Sequence, residues 1–346
     1  TNAVLKTGET VYGVVKSGKS YNVPNSYLSK SGISPSSTGY FGIGLANSGD
    51  YLFVLSSRTT INSVNYTGNV YVYKWTGTEY EYKSSFYPSK RLSSNSASLR
   101  ISADGDYVLI SAAYGYTDRP DNNGETQSGN AFIFKKGVGD VWIEESMLFP
   151  SDNGIGNEGI TRNLNTTNSY IYFGEGSRVS GDWIAIGGSG ESRSGTTNRG
   201  AVWIWKNESG TWTQKQKIDG PDSSLDASRF QNNNYFGKRV IIKGNYLVIQ
   251  HHEAKPSSST TLKRGVIYIY KLNNDVWSYL SYIACPDNIQ PNINSSHFIK
   301  SQTYGNGMYW GGDYLIVGGT FGKIKNVNIF KFDSSNETFT HQKHIL

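Results

Sequence analysis

Five times along this chain one short pattern returns: Asp or Asn, then Tyr or Trp, then an apolar run. It reads "SGDYLFVLSS", "DGDYVLISAA", "SGDWIAIGGS", "KGNYLVIQHH" and "GGDYLIVGGT". The anchors are Asp50, Asp106, Asp182, Asn245 and Asp313, spaced 56, 76, 63 and 68 residues apart. Nine residues before four of them stands an aromatic–glycine pair: Phe41-Gly42, Phe173-Gly174, Phe236-Gly237 and Tyr304-Gly305. The second unit has Ala97-Ser98 in its place. After each anchor come a variable loop and a third strand: "GNVYVYKW", "GNAFIFKK", "GAVWIWKN", "GVIYIYKL" and "NVNIFKF". A short turn follows, then a fourth strand opening on Tyr80, Trp142, Trp212, Trp277 or Phe339. Each unit is thus four short strands punctuated by Gly, Asn, Asp and Pro. Units of this length cannot bury their own apolar faces and must stack on one another.

In "VYVY" and "VWIW" both alternating positions are apolar, aliphatic on one side and aromatic on the other. Such a strand is buried on both faces. A sheet covered on both sides and repeated five times is a propeller blade packed between two neighbours. A single sandwich would instead alternate with polar outer positions. The predicted fold is all-β: a β-propeller of four-stranded antiparallel blades, with five complete repeats over about 37–90, 91–152, 165–222, 227–288 and 298–346. Residues 1–36 ("TVYGVVKSGKSYNVPNSYL" within them) match a third and fourth strand. They form a half-repeat or appendage, leaving five or six blades open.

The aromatic–glycine pairs, the "SGD" or "DGD" turn, the small residues ending the second strand and the "GxVYVY" third strand resemble FG-GAP repeats. These are the propeller repeats of integrin α-chains and of bacterial and algal surface proteins. The resemblance covers about residues 37–346. It implies a surface or adhesive role without a catalytic centre. Many family members bind calcium in an Asp-x-Asp-x-Asp loop, but the nearest approach here is Asp104-Gly105-Asp106. Two carboxylates fall short of the six or more oxygens calcium takes, so neither metal nor cofactor is expected.

Composition narrows the class further. Aromatic residues are 14% and charged residues 17% of the 346, a balance that excludes disorder. No window approaches 18 apolar residues, so no membrane span is expected. The net charge of +6 is spread along the chain, which argues against nucleic acid as a partner. Cys285 is the single cysteine and allows no internal disulfide. Five Asn-x-Ser/Thr sequons, at Asn65, Asn165, Asn207, Asn294 and Asn336, are permissive for an exported protein. The first residues, "TNAVLKTGET", carry neither an initiator Met nor a basic-then-apolar segment and read as a processed or excised form. A secreted, cell-surface or virion-surface location is expected.

Loop lengths nominate one working face. The connections 57–67, 113–128, 189–199 and 253–264 within units are long and polar, as are 89–96, 151–169, 222–234 and 287–303 between them. In a propeller these all lie on one side, around the channel mouth, and long loops on a rigid scaffold carry binding residues. Two candidate groups follow. Tyr114, Tyr116, Arg119 and Asp121 in "AAYGYTDRPDNNGE" combine rings and polar groups that stack on and hydrogen-bond sugars. His251, His252 and Glu253 end the second strand of the fourth unit, where the other units place a small residue at the position of His251. Adjacent strand histidines point to opposite faces, so they form no metal pair without a bulge. The competing reading makes His251 a space-filling core residue.

No HExxH, GxSxG, P-loop or CxxC motif occurs. The leading expectation is therefore a non-enzymatic, lectin-like adhesion module, binding a glycan or a surface protein through the long-loop face. A structural component of a surface or fibre assembly, joined to another chain through residues 1–36, is the first alternative. The second is a glycan-active propeller enzyme in which carboxylates such as Asp121, Glu191 or Glu253 converge from separate blades.

Overall fold

The strand pattern of the repeats becomes five antiparallel sheets in a computed structural model. It describes residues 41–57, 59–61, 64–66, 68–89, 99–113, 129–150, 171–191, 198–220, 235–251, 254, 265–284, 296–297, 307–321 and 324–345. Blade I is Phe41–Ser48, Tyr51–Ser56, Asn69–Trp75 and Tyr80–Phe86. Blade II is Leu99–Asp104, Tyr107–Ala112, Asn130–Lys136 and Trp142–Leu148. Blade III is Phe173–Ser180, Trp183–Gly188, Ala201–Glu208 and Thr211–Ile218. Blade IV is Phe236–Lys243, Tyr246–His251, Val266–Asn273 and Val276–Ala284. Blade V is Met308–Gly311, Tyr314–Phe321, Ile324–Asp333 and Thr338–Ile345, with the two-residue strand Ser296–His297 added at the far end of Tyr314–Phe321. Inner strands of successive blades lie side by side from I to V. The molecule is a five-bladed β-propeller, and the described residues contain no helix. The half-repeat at 1–36 lies outside the described residues.

The repeated turn explains the anchor. In each blade the glycine before it (Gly49, Gly105, Gly181, Gly244, Gly312) takes a positive φ of 53–55°, where a Cβ is disfavoured. The anchor's main-chain carbonyl then accepts the amide at the end of the third strand. Trp75, Lys136, Asn207, Leu272 and Phe332 donate to Asp50, Asp106, Asp182, Asn245 and Asp313, all at 2.7–2.8 Å. What recurs is thus a backbone bond, which explains why Asn245 serves as well as Asp.

Third strands are buried on both faces, as their composition predicts: Val70 to Tyr73, Ala131 to Phe134, Ala201 to Trp205 and Val266 to Tyr270 are all buried. Their side chains, together with those of the other strands, build the seams between blades. Phe53, Val72, Phe132 and Trp142 pack between I and II, and Ile133, Phe173 and Trp203 between II and III. Trp183, Tyr268 and Trp277 fill III–IV, and Ile267, Trp310 and Phe330 fill IV–V. Fourth strands alternate between half-buried and exposed residues, as outer strands with one wet face do.

The aromatic–glycine pair sits where an inner strand presses on the preceding blade. Phe236 bridges to Gly200, at the entry to the third strand of blade III, and Phe173 meets Gly129 of blade II in the same way. A Cβ on Gly200 would lie 2.0 Å from the Phe236 carbonyl oxygen, and one on Gly129 would lie 1.9 Å from that of Phe173. The glycine of "GxVYVY" and the aromatic pair are therefore two halves of one contact. Of the sequons, Asn207 is engaged at both ends of its amide, donating to Tyr107 at 2.8 Å and accepting from the Gly210 amide at 2.8 Å.

His341 lies against the Phe330 ring at 5.2 Å, and burial, with His344 nearby, lowers its pKa below the ordinary 6.5. The unfolded chain then binds the proton first, so stability is lost as pH falls below 6.5 towards the folded value. Urea midpoints at pH 7 and pH 5 should show this loss, and His341→Gln should lose less on acidification than the wild type.

Candidate active site at the channel mouth

The inner strands begin on the long-loop face, so their first residues frame the mouth of the channel. Aligned on the aromatic, the third position beyond it is Gly44, Gly176 and Gly307 in three units but Arg100 and Arg239 in two. The glycine is required where blades III and IV close up: a Cβ on Gly176 would lie 2.9 Å from the Arg239 Cα and 2.7 Å from the Gly237 carbonyl. Beside that contact Arg239 is only 8% exposed. Its Nη1 donates to the carbonyls of Lys238 at 2.7 Å and Glu175 at 3.1 Å, while its buried Nε–H meets no acceptor among the described residues. Burial, and then the Arg100 cation, pull its pKa down to about 9 against the opposing pull of Glu175. Burial also lowers Arg100, again opposed by Glu175.

Glu175 is the carboxylate of this cluster. Its Oε2 accepts a short hydrogen bond from the Ser189 hydroxyl, and its Oε1 lies 3.6 Å from the Lys238 ammonium. Lys238 in turn sits 5.3 Å from the Tyr235 ring centre. Beneath Glu175, Ser111 donates to the Gly174 carbonyl at 2.8 Å and shares a hydrogen bond with Ser177 at 2.7 Å. Further along the same inner strand, burial lowers the pKa of Arg178, opposed by Asp104 and Tyr309 from blades II and V. Among the described residues the mouth therefore holds one fixed carboxylate, Glu175, beside three cations. Among the described residues no cluster of His, Cys, Asp and Glu could hold a metal ion.

A second charged group pins the loop that carries Ser189. Glu191 is 2% exposed, its Oε1 is 3.3 Å from the Lys217 ammonium, and its carbonyl accepts the Gly200 amide at 2.8 Å. Lys217 also reaches Asp219 at 3.5 Å and lies 5.2 Å from the Trp203 ring centre. Removing the ammonium would leave a buried carboxylate without this cation, so Lys217→Met should cost about 3 kcal/mol, read as a shift in the urea midpoint.

Of the two candidate groups singled out by sequence, His251 alone is among the described residues. His251 is fully buried, its ring edge-on to Phe236 at 5.6 Å and tilted against Tyr268 at 5.7 Å. It fills the III–IV seam where other blades have a small residue. Tyr114, Tyr116, Arg119, Asp121, His252 and Glu253 lie outside the described residues. Of the carboxylates considered for convergence, Glu191 is tied to Lys217, which also reaches Asp219. Glu175, Arg100 and Arg239 were missed, although Arg standing for Gly at one fixed repeat position was visible in the alignment.

No family model matches the chain, and no curated protein matches it. Among solved structures it is similar to a candidate 6-phosphogluconolactonase of Bacteroides uniformis, at 9% identity and a TM-score of 0.52, over 88% of this chain and 71% of that one. A candidate 6-phosphogluconolactonase of Bacteroides fragilis aligns more loosely, at 12% identity and a TM-score of 0.40, over 88% and 84%. The first likeness establishes a shared fold, and the activity in its name belongs to that protein. It corrects the leading expectation nonetheless. The non-enzymatic expectation rests on a resemblance to an adhesive family, on the long-loop face and on the lack of catalytic motifs, and this scaffold is one also found in a protein described as an enzyme. The reading as a non-enzymatic adhesion module is set aside.

Proposed function

We propose that the protein is an enzyme that hydrolyses a sugar-derived substrate at the channel mouth, with sugar lactones the first class to test. The observation that carries this reading is Glu175, held by Ser189 and Lys238 beside Arg239 and Arg100 at the opening of the channel. The name of the Bacteroides uniformis structure supports the choice of lactone. In the proposed reaction the Glu175 carboxylate takes a proton from a water molecule as its oxygen bonds to the lactone carbonyl carbon. The charge that develops on the carbonyl oxygen is stabilised by the surrounding cations. Collapse of the tetrahedral intermediate breaks the bond to the ring oxygen, which receives the proton from Glu175 and leaves as a hydroxyl of the open acid.

The test is the rate of lactone opening by wild type and by Glu175→Gln, with folding checked by circular dichroism. The reading expects a large loss in the variant. Equal rates would remove Glu175 from the reaction.

A further inference from the structure

Burying a guanidinium at a channel mouth is costly unless something negative shares the site. Arg239 spends Nη1 on two carbonyls and keeps its Nε–H without an acceptor among the described residues, in a position only 8% exposed. Arg100 adds its charge from blade II, and Lys238 adds an ammonium on the same strand as Arg239. Against these three cations the described residues set one carboxylate, Glu175. A developing oxyanion would offset a second charge, and only during the reaction. At rest the described residues of the site carry a net positive charge.

We propose that the mouth contains an oxyanion subsite in which Arg239, flanked by Arg100 and Lys238, holds a phosphate or carboxylate group carried by the substrate. This deepens, and rests on, the reading of the mouth as a substrate site. A planar guanidinium with an unused N–H is suited to a two-oxygen contact, which an ammonium alone cannot make. The lowered pKa of Arg239 fits the same picture, because an anion would restore its preference for the charged form.

The experiment is calorimetric titration of the full chain at low ionic strength with sodium phosphate in one arm and sodium gluconate in the other. The wild type should bind at least one of them, and the arm that binds identifies the group. Arg239→Gln should weaken that binding on the order of tenfold or more, the loss of a charged hydrogen bond. Lys238→Gln, at a more open position, should weaken it severalfold and serves if Arg239→Gln does not fold. Lys83→Gln, on the outer strand of blade I, should bind as the wild type does. Absence of binding in both arms, or equal binding by a folded Arg239→Gln or Lys238→Gln variant, overturns the subsite. Because no turnover is needed, the two readings separate. Anion binding without hydrolysis leaves the subsite standing and sinks the lactone reaction. Glu175-dependent opening of a neutral lactone without anion binding does the reverse.

Discussion

Gly200→Ala should lower unfolding stability by about 4 kcal/mol or more, enough to leave little folded protein under ordinary conditions. Two costs coincide at this residue. Its φ is +86°, which an L side chain rarely adopts, and a Cβ would stand 2.0 Å from the Phe236 carbonyl oxygen and 2.7 Å from its nitrogen. The obstacle is backbone on an inner strand, so no side-chain rotation relieves it. Blade IV would have to move away from blade III, opening the seam built on Trp183, Tyr268 and Trp277. Gly210→Ala separates the terms. Its φ is +92° but a Cβ there meets nothing within 4 Å, so it should cost only the backbone strain, about 1–3 kcal/mol. Urea unfolding of the two variants checks the contrast. Equal losses would mean that the blade contact contributes nothing beyond glycine's conformational freedom.

Glu175→Gln should slow hydrolysis by about 100- to 10,000-fold, the range general bases supply. Gln keeps the shape of the side chain, and its amide oxygen can still accept from Ser189, so folding should survive. What it loses is the ability to take a proton from water and the negative charge facing Lys238 and Arg239. The loss should therefore appear chiefly in kcat, with KM changed little or even lowered if the substrate is anionic. Ser189→Ala should act in the same direction but more weakly, because that hydroxyl only holds the carboxylate in place. An unchanged kcat in folded Glu175→Gln would assign the proton transfer to another group.

The blade architecture was legible because it rests on short-range pattern. Apolar runs such as "VYVY" report burial on both faces, and the anchor spacing reports the turn, whatever the neighbours are. The meaning of the anchor was less accessible. Asp50 and its counterparts look like side-chain caps, yet the repeated bond runs through their carbonyls, and glycine before them takes the demanding φ. His251 stood out because it breaks a local rule, and that rule concerns packing: the ring occupies a seam between Phe236 and Tyr268. The mouth cluster was hard to find for a different reason. Arg100, Glu175 and Arg239 are 75 and 64 residues apart, from three blades, and no spacing links them until the ring places their inner strands together. Only repeat alignment exposes the two arginines, at a position where three units have glycine.

The claim that most needs testing is that the mouth is a working enzyme site. The direct measurement is proton release at constant pH by the wild-type chain with a panel of neutral and phosphorylated sugar lactones, with and without inorganic phosphate. The account predicts that at least one lactone opens well above its spontaneous rate and, where phosphate is the anion that binds, that it inhibits by raising KM. If every lactone opens at the rate seen in buffer alone, the proposed reaction is wrong.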